Sequence, residues 1–348
     1  MVEQNRLQNG GRIEFIDTAK AFGICFVVLG HCVLPQSLRM YIYSFHMPLF
    51  FLLSGLTFKA GNAKEFVKKK AFSLLFPYLL FCFAYFIKDV LIQFVTHDVD
   101  KMALIKEFFG IFLCIQRSEF MINGLWFLPC LFVVEILLYI IVKCTKKDSQ
   151  VLLFAFALCV FQYVMDRIFN YSLVWCADAA MIAVLFAAFG YVFKDKFRFL
   201  ADKASEKKPA YLLLSIVLLA AGYAAAFINF RISDNYVQFS DGFYGELGFL
   251  LISSFLSVSG IIILSQLFSS RLSYFIGRNS LFIYAFHYFL FIGNINERLV
   301  KLASSYINST AAQIICALLF MIAALAVCLV LSLVYNKIME KIKLIIFK

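Results

Sequence analysis

The sequence predicts an all-α fold, a polytopic membrane helix bundle with about ten transmembrane helices and both termini cytoplasmic. Three observations lead there. Of the 348 residues, 63% are hydrophobic and only 15% charged, and the mean hydropathy is +0.87, well outside the composition of soluble domains. Apolar runs of about 20 residues, the length that crosses the hydrocarbon core, recur along the whole chain. Lys and Arg gather in alternate connecting loops, the pattern by which positive charge sets topology.

The expected spans are residues 14–34, 40–58, 71–95, 122–142, 151–169, 174–193, 210–230, 246–268, 272–293 and 312–336. With the termini cytoplasmic, 22 of the 32 cations fall in inner segments, notably Lys64 to Lys70, Lys143 to Lys147 and Lys194 to Lys208, and eight in outer ones. The net charge of +11 is therefore a topology signal, and no nucleic-acid partner is expected. Between the third and fourth spans, Ala103 to Gln116 is interrupted by Lys106 and Glu107. It is too short to cross and should lie along the outer interface or dip back in.

No Pro-rich or Gly/Ser-rich linker divides the chain, so 1–348 reads as one integral-membrane domain. Residues 1–12 form a polar cytoplasmic N-terminus and 337–348 a basic cytoplasmic C-terminus. The start, MVEQNRLQNGGR, lacks the features of a cleaved signal peptide, so the first apolar run is expected to stay as a helix. Ten cysteines lie mostly within apolar runs, without metal-site or disulfide-framework spacing, and read as small buried hydrophobes. The loop Arg231 to Glu246 mixes carboxylates with aromatic residues. Sugar binding and interfacial anchoring both fit, and anchoring is favoured.

Candidate chemistry concentrates in Arg12 to Gly55, which places Asp17, Lys20, His31 and His46 inside apolar sequence. Ionisable groups are costly there and are usually kept for function. On a helix, Asp17, Lys20 and His31 fall within about 60° of one another, so one face carries all three. Eleven residues separate Lys20 from His31, roughly 16 Å along the axis. The two cannot act on one atom, and a donor-side station at Lys20 with an acceptor-side station at His31 follows. Imidazole can take a proton from an alcohol near neutral pH, and an ammonium can hold an anionic donor. The bland alternatives are a Lys20 pair with Asp17 or a snorkelling Lys20, and a helix-packing hydrogen bond for His31.

A hairpin through Pro35 to Arg39 returns His46 to the depth of His31. No third ligand with diagnostic spacing accompanies them, so no metal is expected; His46 is read as orienting His31 or the acceptor. His287, in the outer half of the ninth span, joins the same depth. Trp126 in NGLWFLP is read as an interface anchor or a substrate platform. Glu135 and Asp178 lie inside spans, where each could pair with a lysine or line a cavity.

These residues resemble the acyltransferase-3 family of membrane O-acyltransferases, and most closely its fucose 4-O-acetylase-like group. The family's basic residue, ten residues and histidine are matched by Lys20 and His31 in KAFGICFVVLGH, and its second signature by FHMPLFFLLSG, Phe45 to Gly55. Pro77–Tyr78, LWFL around Trp126 and GRNSLFIYAFH ending at His287 are weaker similarities. Lys20 stands where many members carry Arg, which keeps the charge and loses the bidentate geometry. The resemblance implies a multi-pass protein of the inner (cytoplasmic) cell membrane. Such a protein moves an acetyl group from cytoplasmic acetyl-CoA, an acyl-CoA co-substrate rather than a bound cofactor, to a hydroxyl of a cell-surface or lipid-linked glycan. His31 would act as base or transient acyl carrier, Lys20 and Asp17 on the donor side, and His46, His287 and Trp126 on the acceptor. The rival class is a transporter or flippase of a polar or lipid-linked sugar; the absence of an internal repeat counts against it.

Overall fold

The computed structural model describes residues 14–97, 99–118, 124–290 and 292–346. Within these it is all-α, with fourteen α-helices and no strand. They are α1 Glu14–Gly30, α2 Gln36–Leu56, α3 Ala63–Thr96, α4 Lys101–Leu113, α5 Phe127–Cys144, α6 Asp148–Phe169, α7 Ala177–Val192 and α8 Lys194–Glu206. After these come α9 Lys208–Ser233, α10 Leu247–Leu267, α11 Arg271–Arg278, α12 Ser280–Phe286, α13 Ile292–Ala303 and α14 Ser309–Ile346. The expected N-terminal segment 1–12, residues Ile122 and Asn123 at the start of the fourth span, and Phe347 and Lys348 lie outside the described residues.

Among the described residues, seven helices are long and apolar enough to cross a membrane by length and composition: α3, α5, α6, α7 with its preceding 3-10 turn, α9, α10 and α14. The protein is a multi-pass membrane protein. The other three expected spans correspond to α1 with 17 residues, α2 with 21, and the pair α11–α12. Lipid-facing character is visible in Leu91, Phe94, Phe154, Phe161, Leu213, Val217, Leu319 and Val330, all large, apolar and exposed.

One expected span is corrected. Residues 272–293 do not form one helix, because α11 ends at Arg278, Asn279 turns the chain, α12 restarts at Ser280, and His287–Leu290 is 3-10. The Asn279 side chain explains the break. Its Nδ2 donates to the Phe275 carbonyl at 2.8 Å and its Oδ1 accepts from Asn336 Nδ2 of α14 at 2.8 Å. A short amide side chain thus competes with the helix backbone.

Helix α2 carries Pro48, which cannot donate to the Ser44 carbonyl one turn back. Ser254 of α10 repairs that loss with an Oγ–H···O bond of 2.7 Å, the kind of substitute a helix needs where water is absent. In α3, residues Ala71–Leu75 are wound as a π-turn, ending two residues before Pro77, which has no N–H for Ser73. Helix α7 is rich in Ala and almost wholly buried, and meets α2 backbone to backbone. A Cβ at Gly55 would come within 1.9 Å of the Ala187 carbonyl oxygen, and one at Gly190 within 2.2 Å of that of Leu52. Small residues permit the close approach that replaces hydrophobic driving force inside lipid.

The loop between α9 and α10 departs from the anchor reading. Val237, Phe239 and Tyr244 are buried, and Phe239 packs against Phe51, Phe186 and Tyr244. Gly242 and Gly245 at positive φ and the Gln238–Phe243 bridge turn this loop back into the bundle. All ten cysteines are thiols, eight of them buried.

Candidate active site

Three cavities lie in series through the bundle, each sharing wall residues with the next. The first, about 520 Å³, carries Lys69 of α3, Arg278 of α11 and Lys343 of α14 together with Asn279 and Asn336. Ser73 and Leu281 belong both to its wall and to that of a second cavity of about 210 Å³, which holds Lys20, Lys70 and Glu135. Val27, Met47 and Tyr284 in turn separate the second cavity from a third of about 190 Å³, lined by His31, His46 and Trp126.

Helix α1 threads this series. Lys20, Val27 and His31 are two and three turns apart, so a single face presents the cation to one cavity, the septum residue to the boundary and the imidazole to the next. Asp17 is buried, and its Oδ2 stands 3.5 Å from Arg278 Nε. It reaches the series through that arginine of the first cavity. Close packing holds the pair in place, since a Cβ at Gly277 would clash with the Asp17 backbone at 1.8 Å.

In the second cavity, Lys70 Nζ donates to Glu135 Oε1 at 2.5 Å. The other carboxylate oxygen is buried without a hydrogen-bond partner, although buried polar atoms are ordinarily satisfied. Sequence reasoning assigned Lys70 to the basic loop before the third span. The π-turn that begins at Ala71 instead continues the helix through it, and a helix that starts at Ala63 carries its side chain into the wall.

His31 and His46 line the third cavity, and His287 stands beside His31. His31 follows the last residue of α1, where its N–H closes a turn onto the Val28 carbonyl. The His287 ring lies 5.1 Å from it, tilted by 44°, and the Tyr288 ring approaches edge-on at 5.7 Å. His46 Nδ1 donates to the Ile42 carbonyl at 2.8 Å. His287 Nδ1 donates to the carbonyls of Ile283 and Tyr284 at 3.0 and 2.7 Å. A carbonyl can only accept, so in both rings Nδ1 bears a proton. His287 Nε2 is buried with no partner.

Trp126 is 6% exposed and stands in the wall of this cavity. Tyr284, which sequence reasoning passed over within GRNSLFIYAFH, pins the wall. Its hydroxyl donates to the Gly124 carbonyl and accepts from the Phe127 N–H at 3.2 Å. Phe239 and Ser240 of the inward-folded loop complete the lining; no periodic signal could have announced them. Among the described residues no cluster of His, Cys, Asp and Glu could hold a metal ion.

The arrangement offers a cationic groove suited to an anion, a middle cavity that shares wall residues with both neighbours, and an imidazole site suited to proton transfer from a hydroxyl. A family model described as an acyltransferase domain matches residues 13–333. No curated protein and no solved structure matches the chain.

Proposed function

We propose, because the chain belongs to the acyltransferase-3 family and is thereby a membrane acyltransferase, that its serial cavities bring an acetyl thioester from the basic groove to a glycan hydroxyl at His31. The observation that carries the proposal is the sharing of walls, Ser73 and Leu281 at one boundary and Val27, Met47 and Tyr284 at the other. It supports one route between a site for a charged donor and a site for a neutral acceptor. Family membership favours this reading over the transporter.

The donor is acetyl-CoA. Lys69, Arg278 and Lys343 hold its phosphates by charge-assisted contacts. Its arm enters the second cavity past Ser73 and Leu281, where Lys20 and the Lys70–Glu135 pair flank it. Positive charge on the groove side accords with a cytoplasmic donor face and with both termini on that face, as for a single domain of the inner membrane.

The acceptor is a sugar of a cell-surface or lipid-linked glycan, seated on Trp126 and bounded by His46. His31 takes the proton of one hydroxyl. The alkoxide oxygen attacks the thioester carbonyl carbon, a C–O ester bond forms, the C–S bond breaks, and the departing thiolate takes up a proton. His46 and His287, each held through its Nδ1–H by backbone carbonyls, keep His31 and the hydroxyl in register. Lys20, roughly 16 Å from His31 along α1, serves the donor and not the reacting carbonyl.

The test is incubation of membranes containing the protein with radiolabelled acetyl-CoA, followed by mass spectrometry of the glycan fraction. Base-labile acetyl on a sugar hydroxyl is expected, and Lys343→Glu with Arg278→Glu should raise the KM for acetyl-CoA. Unlabelled glycan in the presence of folded protein would overturn the assignment.

A further inference from the structure

The boundary between the second and third cavities consists of three side chains that differ in freedom. Tyr284 is fixed by two hydrogen bonds, to Gly124 and from Phe127, and by an edge contact with the Phe127 ring at 5.5 Å. Val27 is β-branched on a helix and has essentially one rotamer. Met47 is unbranched, with three rotatable bonds. All three are nearly inaccessible, at 8, 3 and 5% exposure, and stand in the walls of both cavities. Of the three, Met47 has the most freedom to move aside for a group going from the Lys20 cavity to the His31 cavity.

We infer that Met47, set against Val27 and Tyr284, is the residue that fixes which acyl groups this protein transfers, and that it admits acetyl while rejecting longer chains. The inference rests on the acyltransferase reading above. In an acyl thioester that advances arm-last, the acyl group is the leading end. It must pass this boundary before the carbonyl carbon comes within reach of a hydroxyl at His31. The third cavity beyond measures only about 190 Å³ and is shared with the acceptor, so a long acyl tail finds neither passage nor room. Transfer itself balances as before: the thioester C–S bond breaks, the ester C–O bond forms, and the hydroxyl proton ends on the thiol.

Discrimination should be steep, since each methylene that a fixed pocket refuses costs roughly ten- to two-hundredfold in rate. The experiment supplies acetyl-, butyryl- and hexanoyl-CoA in turn to membranes containing wild-type, Met47→Ala or Val27→Ala protein and measures ester formed on the glycan. Wild type is expected to use acetyl and to lose activity by about tenfold or more at butyryl. Both variants are expected to raise the butyryl-to-acetyl ratio by at least about tenfold. A flat chain-length profile in wild type overturns the inference without any variant being needed. So do acetyl transfer by wild type and an unchanged ratio in the variants, which would leave the acyltransferase reading standing. Transfer from none of the three donors by wild type removes that reading and this inference together.

Discussion

The imidazoles of His31 and His287 stand 5.1 Å apart, although one closes the first helix and the other follows α12 near the far end of the chain. His287 is the anchored partner, with Nδ1–H held by the carbonyls of Ile283 and Tyr284 and Nε2 buried without a partner. His287 is thus the ring held in place, and under the proposed function His31 beside it is the one that takes the proton.

Replacing His287 by Ala should lower kcat by about 10- to 100-fold, less than the roughly 10²–10⁴ that loss of the base itself costs. KM for acetyl-CoA should stay near its wild-type value, because on the proposed route the donor's phosphates are held in the first cavity. Steady-state kinetics over a pH series check this. A positioning role shifts the acid limb of the kcat profile, whereas a purely structural role would reduce the amount of folded protein and leave the profile in place.

The Lys70–Glu135 pair is buried on the carboxylate side, at 3% exposure. Lys70→Ala should destabilise the folded protein by about 3 kcal/mol, since it leaves a buried carboxylate uncompensated. The double change Lys70→Met with Glu135→Leu should recover most of that, because two well-packed apolar side chains carry no desolvation penalty. Thermal unfolding of wild type, Lys70→Met, Glu135→Leu and the double variant in one detergent gives the coupling, and a double variant as unstable as the sum of the two single ones would contradict the account.

Gly190→Ala should cost at least about 1–3 kcal/mol, the usual range for overpacking. The added Cβ meets the Leu52 carbonyl at 2.2 Å, and backbone cannot move aside as a side-chain tip can. The same change at Gly248, where nothing lies within 4 Å, should be near neutral. Comparable melting temperatures for the two variants would show that α2 and α7 do not meet as closely as described.

What the residues disclosed in advance follows the reach of each physical rule. Helical periodicity alone set Lys20 and His31 on one face at separate depths, and in the structure they line different cavities with Val27 between them. Hairpin length was enough to return His46 to the level of His31. No local rule could bring His287 to His31, turn Phe239 and Ser240 inward, or break the ninth span at Asn279, since each depends on packing between distant segments. Lys70 was hidden differently: a run of lysines reads as a solvated loop, and only the continuous helix from Ala63 through the π-turn carries one of them to Glu135.

Glu107, on the short helix α4, has its carboxyl raised to about 7 by burial first and by the neighbouring Asp89 second. Its pKa in the folded protein is above the ordinary value, so the native state binds the proton more tightly than the unfolded chain. Stability from this group is full below about pH 4.5 and is lost as pH rises through about 7. Glu107→Gln should therefore gain melting temperature relative to wild type on going from about pH 5 to about pH 8. A difference that stays constant across that interval would contradict the burial of this carboxyl.

The central claim is that His31 takes the acceptor's proton. Transfer of radiolabelled acetyl from acetyl-CoA to glycan, measured with His31→Ala protein in membranes at matched expression, tests it most directly. A fall of roughly 10²–10⁴-fold with KM for acetyl-CoA retained is the predicted result, and wild-type transfer by the folded variant would contradict it.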